Sequence, residues 1–283
     1  VLFAIALVVA NIVSTLVLYD AAFTSLVQLS PLDGSRRIVY LTLIAGFASS
    51  IFWPLTTTLN ENFGWRTTLL MFAVVNMLVC APAHALLSKW SREAKAKGDK
   101  FVAANSNEKQ GSLATQHYAL ATFLITAGFV LSGVALSAIL VQMVPVLQQL
   151  GFGASSLWVS TLFGPAQVVV RFSNLVAGSK RHPLTIAIVS AVLMPLGLFV
   201  AAGTAPAILG AVLGVIFIGM SSGLKSIVHG TLPLELFGSR GYGSRLGFMA
   251  SFRHVAAAVA PFAFAWVSDE FGIVVACVVF AAI

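Results

Sequence analysis

The chain has 283 residues, of which 59% are hydrophobic and only 9% charged, against a charged share of about 25% in soluble domains. So few charges cannot cover a water-exposed globule, which excludes an ordinary soluble enzyme or binding module and leaves a polytopic membrane protein. The net charge of +7 would raise nucleic acid as a partner in a soluble chain; here its placement in loops matters more than its sum, and no nucleic-acid partner is expected.

A membrane helix needs about 20 mostly apolar residues, at 1.5 Å of rise each, to cross roughly 30 Å of hydrocarbon. In chain order the stretches that qualify are 1–29, 38–59, 67–88, 117–148, 156–178, 184–202, 207–228, 246–267 and 272–283. The first starts at Val1 in mid-run, without the basic flank and cleavage site of a signal peptide, and the last stops at Ile283; both ends read as cut. No Asp, Glu, Lys or Arg occurs from Gln110 through Val170, room for two crossings if QLGFGASS (149–156) makes the turn. GTAPA (203–207) divides the uncharged run from His182 to Leu224 in the same way, with Gly and Pro as breakers. Uniform apolarity over such lengths is helical rather than the alternation of a barrel strand, so the fold class is all-α, a polytopic membrane helical bundle.

Basic residues fall in alternate loops. Arg36 and Arg37, then Lys89, Arg92, Lys95, Lys97, Lys100 and Lys109, then Lys180 and Arg181, then Arg240 and Arg245 put 12 cations on one face, which the positive-inside rule makes cytoplasmic. The opposite loops hold Arg66 beside Glu61, Asp269 and Glu270. The long polar stretch after Lys89, rich in Lys, Glu, Ser and Asn, reads as a flexible cytoplasmic linker. The expected organisation is three spans in 1–89, a linker over 90–115 and six spans in 116–283, the last incomplete. NENFG (60–64) answers SDEFG (268–272), and Arg37 answers Arg245, at a common offset of 208. If the halves are parallel repeats, about three helices are missing from the front of two six-helix halves. Cys80 and Cys277 lie in apolar stretches and are too few for a disulfide framework.

FGWR (63–66) at the opening of the third span, together with LYDAAF (18–23), GPAQVVVR (164–171) and HGTLPLELFG (229–238), gives this layout a resemblance to the major facilitator superfamily of secondary transporters, in particular to its bacterial members. The resemblance covers essentially the whole chain as helices four to twelve, with the N-terminal half truncated. It implies a multi-pass protein of the cell membrane, the inner membrane in a bacterium, and a cavity walled by the first, fourth and seventh spans. The superfamily's loop signature survives only as GSKRHP (178–183), without its acid; the fourth-helix Arg motif is absent; and AGFASSIFWP (45–54) lacks the Gly and Pro spacing of the antiporter motif. Direction of transport is left open.

Asp20 is the most informative residue. Ten residues back from Ser30 it lies about 15 Å deep, where an embedded carboxylate carries a cost of about 3 kcal/mol and is functional by default. It is a candidate for coupling transport to a proton, the alternative being a structural acid paired to a neighbouring cation or bonded to Tyr19 or Ser14. Asn11, Thr15 and Tyr19 recur every fourth residue and form one polar stripe, lining the cavity or bonding across helices; Gln142 on the fourth span is a similar candidate. Arg171 lies fifteen residues past Ser156, about 22 Å along the helix, with Gln167 one turn before it; snorkelling to the interface competes with contact to an anionic substrate. Lys225 reads as a snorkeller, and Arg253, about 12 Å inside if its span starts at Arg245, is harder to dismiss. Three embedded cations against one embedded acid favour an anionic or carboxylate-bearing substrate.

His84, His229 and His254 lack a second ligand at helical spacing, so no metal or other cofactor is expected beyond a proton as coupling ion. GMSSG (219–223) matches the serine-hydrolase pattern in letters, but that motif needs a strand-to-helix elbow, and small residues for close helix packing explain it better. The reading is a proton-coupled secondary transporter, not an enzyme, that moves a small organic solute by alternating access. A multidrug exporter of the same fold is the first alternative and an intramembrane serine hydrolase the alternative from another class.

Overall fold

The computed structural model describes residues 19–30, 32–86, 88, 117–177 and 182–283, with the side chains of 49, 50, 53 and 54 outside that description. The expected start of the first span, the linker at 90–115 and most of GSKRHP therefore lie outside the described residues. No strand occurs among those described. The helices are α1 (Tyr19–Leu29), α2 (Gly34–Val75), α3 (Tyr118–Leu147), α4 (Ser155–Thr161), α5 (Phe163–Val176), α6 (Pro183–Gly203), α7 (Ile208–Phe237), α8 (Tyr242–Phe271) and α9 (Ile273–Ala282). Five described helical stretches are long and apolar enough to cross a membrane: Leu55–Leu86, Tyr118–Phe152, Pro183–Gly203, Ile208–Phe237 and Tyr242–Phe271.

The breaks fall where backbone chemistry demands them. QLGFGASS turns through Gly151 and Gly153, at φ of 93° and 51°, which only glycine adopts without strain. GTAPA separates α6 from α7 at Gly203 and Ile208. The expected fifth span is interrupted at Leu162, between α4 and α5; Pro165 has no N–H to offer the Thr161 carbonyl one turn earlier. Several expected boundaries shift. The seventh span runs to Phe237 rather than 228, the second starts at Gly34 rather than 38, and the eighth covers Tyr242–Phe271 rather than 246–267, because hydropathy marks where apolarity ends whereas hydrogen bonding carries a helix on towards the next glycine.

The repeat seen in the letters recurs in the backbone. α1 ends at Leu29 and α7 at Phe237, and α2 begins at Gly34 and α8 at Tyr242, each pair 208 residues apart. Gly64, at φ 73° and ψ 162°, breaks α2 between its two spans; Gly272, at φ 89° and ψ 158°, ends α8 at the equivalent place. Two segments of unlike sequence thus share a helix–turn–helix–glycine outline.

α3 packs against α8, α6 against α7 and α5 against α7, around a core that includes Ile139, Val159, Leu198, Val215, Phe264 and Phe280. A Cβ on Gly214 would stand 2.7 Å from the Gly197 carbonyl oxygen, so α6 and α7 meet backbone to backbone. Pro261 in α8 leaves the Ala257 carbonyl without its intrahelical donor, and Ser137 of α3 donates to it at 2.7 Å. Helices from before and after the linker meet where α2 packs on α5 and α7, and α1 on α8. There Phe23, Val27, Ile38, Leu234, Tyr242 and Leu246 form a separate apolar cluster. Ile38 and Leu246 are equivalent in the repeat, and both have no exposed surface. This cluster lies at the end that carries Arg36, Arg37, Arg240 and Arg245.

Candidate functional site

Above that cluster lies a cavity of about 720 Å³ between the two sets of helices, its wall including Tyr19, Phe23, Gln167, Arg171, Lys225 and Arg253. Phe23 belongs to both cluster and cavity, so the apolar contact at the basic end is the cavity floor. Most of the remaining wall is apolar, with Leu124, Phe129, Leu136, Phe163, Ile188 and Leu232 among it.

Asp20 of α1 is 21% exposed and reaches this wall through basic side chains from the other set of helices. His229 Nε2 of α7 lies 2.6 Å from Asp20 Oδ1. Arg253 Nη2 of α8 lies 3.3 Å from Oδ2, and His254 Nε2 lies 3.5 Å from the same oxygen. His229 is buried, with Phe129 edge-on to its ring at 5.0 Å, and its Nδ1 has no partner among the described residues. The tautomer with hydrogen on Nε2 serves Asp20 and leaves only a lone pair unmatched at Nδ1; a doubly protonated ring would bury an N–H without an acceptor there, the costlier arrangement.

Arg171, near the end of α5, is 4% exposed, so it does not snorkel. Its guanidinium donates from Nε to the Gly223 carbonyl at 3.3 Å and from Nη1 to the Thr42 carbonyl at 3.0 Å. Its Nη2 donates to Gln167 Oε1 at 3.2 Å and to Ser226 Oγ at 2.7 Å. A planar fork suits such divergent acceptors. Gly46 of α2 stands against the same group: a Cβ there would collide with Nη1. Lys225 Nζ donates to the Ser132 carbonyl of α3 at 3.2 Å, a contact wholly within the later helices.

A family model described as Major Facilitator Superfamily matches residues 1–261. The chain belongs to the major facilitator superfamily. It is accordingly a multi-pass membrane transporter of that superfamily, with a lipid bilayer as its setting and a small molecule as its substrate. No curated protein matches it.

Within this superfamily member, Tyr19, Gln167, Arg171, Lys225 and Arg253 come together on the cavity wall. Asn11 and Thr15 lie outside the described residues. Gln142 acts elsewhere, because its amide donates to the Pro261 carbonyl of α8 at 3.5 Å, next to the Ser137 contact, and so ties α3 to the proline turn of α8. GMSSG lies inside α7, and the Ser221 hydroxyl donates to the Ser190 carbonyl at 2.6 Å. Gly219 and Gly223 abut the backbone of Phe163 and Gln167, which is the close helix approach the small residues permit. Among the described residues no three His, Cys, Asp or Glu side chains are grouped so as to hold a metal ion.

Sequence reasoning alone misses His229, Ser222 and Ser226. The expected seventh span stops at 228, which puts His229 just past its end, yet the helix continues past Pro233 and Glu235 to Phe237. The signal that could have found it is its spacing: His229 lies four residues after Lys225, on the same face.

Proposed function

We propose that the protein is a proton-coupled secondary transporter of a small organic solute, preferably an anion, working by alternating access of the helices on either side of the linker around the central cavity. The observation that carries this reading is Asp20, joined across the two sets of helices to His229 at 2.6 Å and Arg253 at 3.3 Å beside the cavity. A carboxylate in that position bonds the sets together when ionised. Protonated, it gives up its charge-assisted bonds and releases α1 from α7 and α8. A proton taken up on one side would thus accompany the rearrangement, and the positive-inside rule makes the closed, basic end cytoplasmic.

The test is solute flux in proteoliposomes, with and without a pH gradient, across a panel of organic acids, neutral solutes and drugs. Wild-type flux is expected to rise when the gradient is imposed, and Asp20→Asn to retain exchange while losing that stimulation. An Asp20→Asn protein that keeps its full gradient dependence removes the coupling role. The apolar majority of the cavity wall supports a second reading, an exporter of hydrophobic compounds, for which flux of structurally unrelated drugs in preference to organic acids would be the mark.

A further inference from the structure

The three cations on the cavity wall are not equivalent. Arg253 already faces the Asp20 carboxylate. Arg171 has four of its five N–H donors engaged by acceptors on α2, α5 and α7, and one of these contacts bridges the two sets of helices; a ligand drawing Arg171 to itself would dismantle that bridge. Lys225 differs. Its ammonium carries three N–H donors, its partner is the neutral Ser132 carbonyl at 3.2 Å, and among the described residues no carboxylate is paired with it. Such a cation within a membrane span is costly and calls for a counter-charge.

We propose that Lys225 anchors the carboxylate of an amphiphilic monocarboxylic acid, whose apolar body lies along Phe129, Leu136, Ile188 and Leu232. Ser132, Ser222 and Ser226 accompany Lys225 on the wall. A volume of about 720 Å³ falls within the roughly 300–1,000 Å³ of small-molecule pockets. One carboxylate matches the wall better than two: a second would find Arg171 engaged and would be repelled by Asp20. A neutral amide of the same shape would leave the ammonium unmatched, and an alkylammonium would meet like charge. This inference rests on the transporter reading and specifies the solute that the cavity takes.

The test uses radiolabelled octanoate binding to the purified protein in nanodiscs, with octanamide and octylamine as competitors. Octanoate is expected to bind, the two competitors to be at least tenfold weaker, and Lys225→Gln to lower octanoate affinity at least tenfold while Lys225→Arg retains most of it. Lys225→Met keeps the apolar stem and removes the charge, so a folding defect in the Gln variant, read by size-exclusion profile, does not remove the comparison. Octanamide or octylamine binding as tightly as octanoate overturns the substrate class, on the wild-type protein alone. Octanoate affinity unchanged by loss of the Lys225 charge overturns the anchor. If neutral or cationic solutes are transported and octanoate does not bind, the anchor fails and the transporter stands. If octanoate binds through Lys225 but no solute crosses the bilayer, the anchor stands and the proposed mode of transport fails.

Discussion

Arg171 and Arg253 both reach from the later helices to the earlier ones, but by different chemistry. Arg253 meets a carboxylate on α1, a bond that a proton can undo, whereas Arg171 meets the backbone carbonyl of Thr42 on α2, a bond no proton affects. The first suits a switch and the second a pivot. Arg171→Lys separates the two roles: a single ammonium cannot reach Thr42, Gly223, Gln167 and Ser226 at once. Hydrogen bonds to charged groups contribute about 1.5–3 kcal/mol each, so the expected loss is about 2 kcal/mol of stability, seen as a lower melting temperature in detergent. Flux should fall at least tenfold without a change in its pH-gradient dependence. A Lys variant that melts and transports like the wild type would show that the fork geometry is immaterial.

Among the elements, the two glycines that end equivalent helices make the repeat testable. Gly64 and Gly272 hold φ of 73° and 89° with ψ of 162° and 158°, a region that side chains with a Cβ enter only at a cost of about 1–3 kcal/mol. Neither has an atom within 4 Å of a would-be Cβ, so backbone strain is the whole effect. Gly64→Ala and Gly272→Ala should therefore lower thermal stability by similar amounts. Gly247→Ala in α8, helical and equally open, should instead be neutral or stabilising by up to about 1 kcal/mol. Thermal melts of the three variants decide it: equal behaviour at all three sites would deny the special conformation at the helix ends.

For the whole molecule, alternating access requires that the apolar floor at the basic end come apart. α1 and α8 meet there closely enough that a Cβ on Gly243 would stand 3.5 Å from the Thr24 Cβ, within the spacing a disulfide spans. Thr24→Cys with Gly243→Cys, in a background with Cys80 and Cys277 replaced by Ser, should cross-link on oxidation and stop flux, and reduction should restore it. Undiminished flux in the fully cross-linked protein would mean that the floor never opens, and the alternating mechanism would fall. In that event the Asp20 contacts, which lie on the same interface, would be structural.

Composition determined that the chain lives in lipid, because 9% charged residues leave no other solvent for so much apolar surface. The turns at QLGFGASS and GTAPA were legible from spacing, since glycine and proline act on the backbone locally, but the end of the seventh span was not: its helix runs past Pro233 to Phe237. The 208-residue offset was legible for the same reason: NENFG and SDEFG mark equal turns whatever packs beside them. The site was legible only in part. Asp20, Gln167, Arg171, Lys225 and Arg253 stood out as polar groups where lipid forbids them, but their partners did not. His229 meets Asp20 across 209 positions of sequence, Arg171 is buried rather than snorkelling, and Gln142 serves a neighbouring helix rather than the cavity. Depth along a helix follows from counting at 1.5 Å per residue, whereas the direction a side chain faces, and what it meets, depends on how each helix is rotated and packed against the others. That choice belongs to the tertiary structure, because it minimises unmatched charge and empty space over all the helices together.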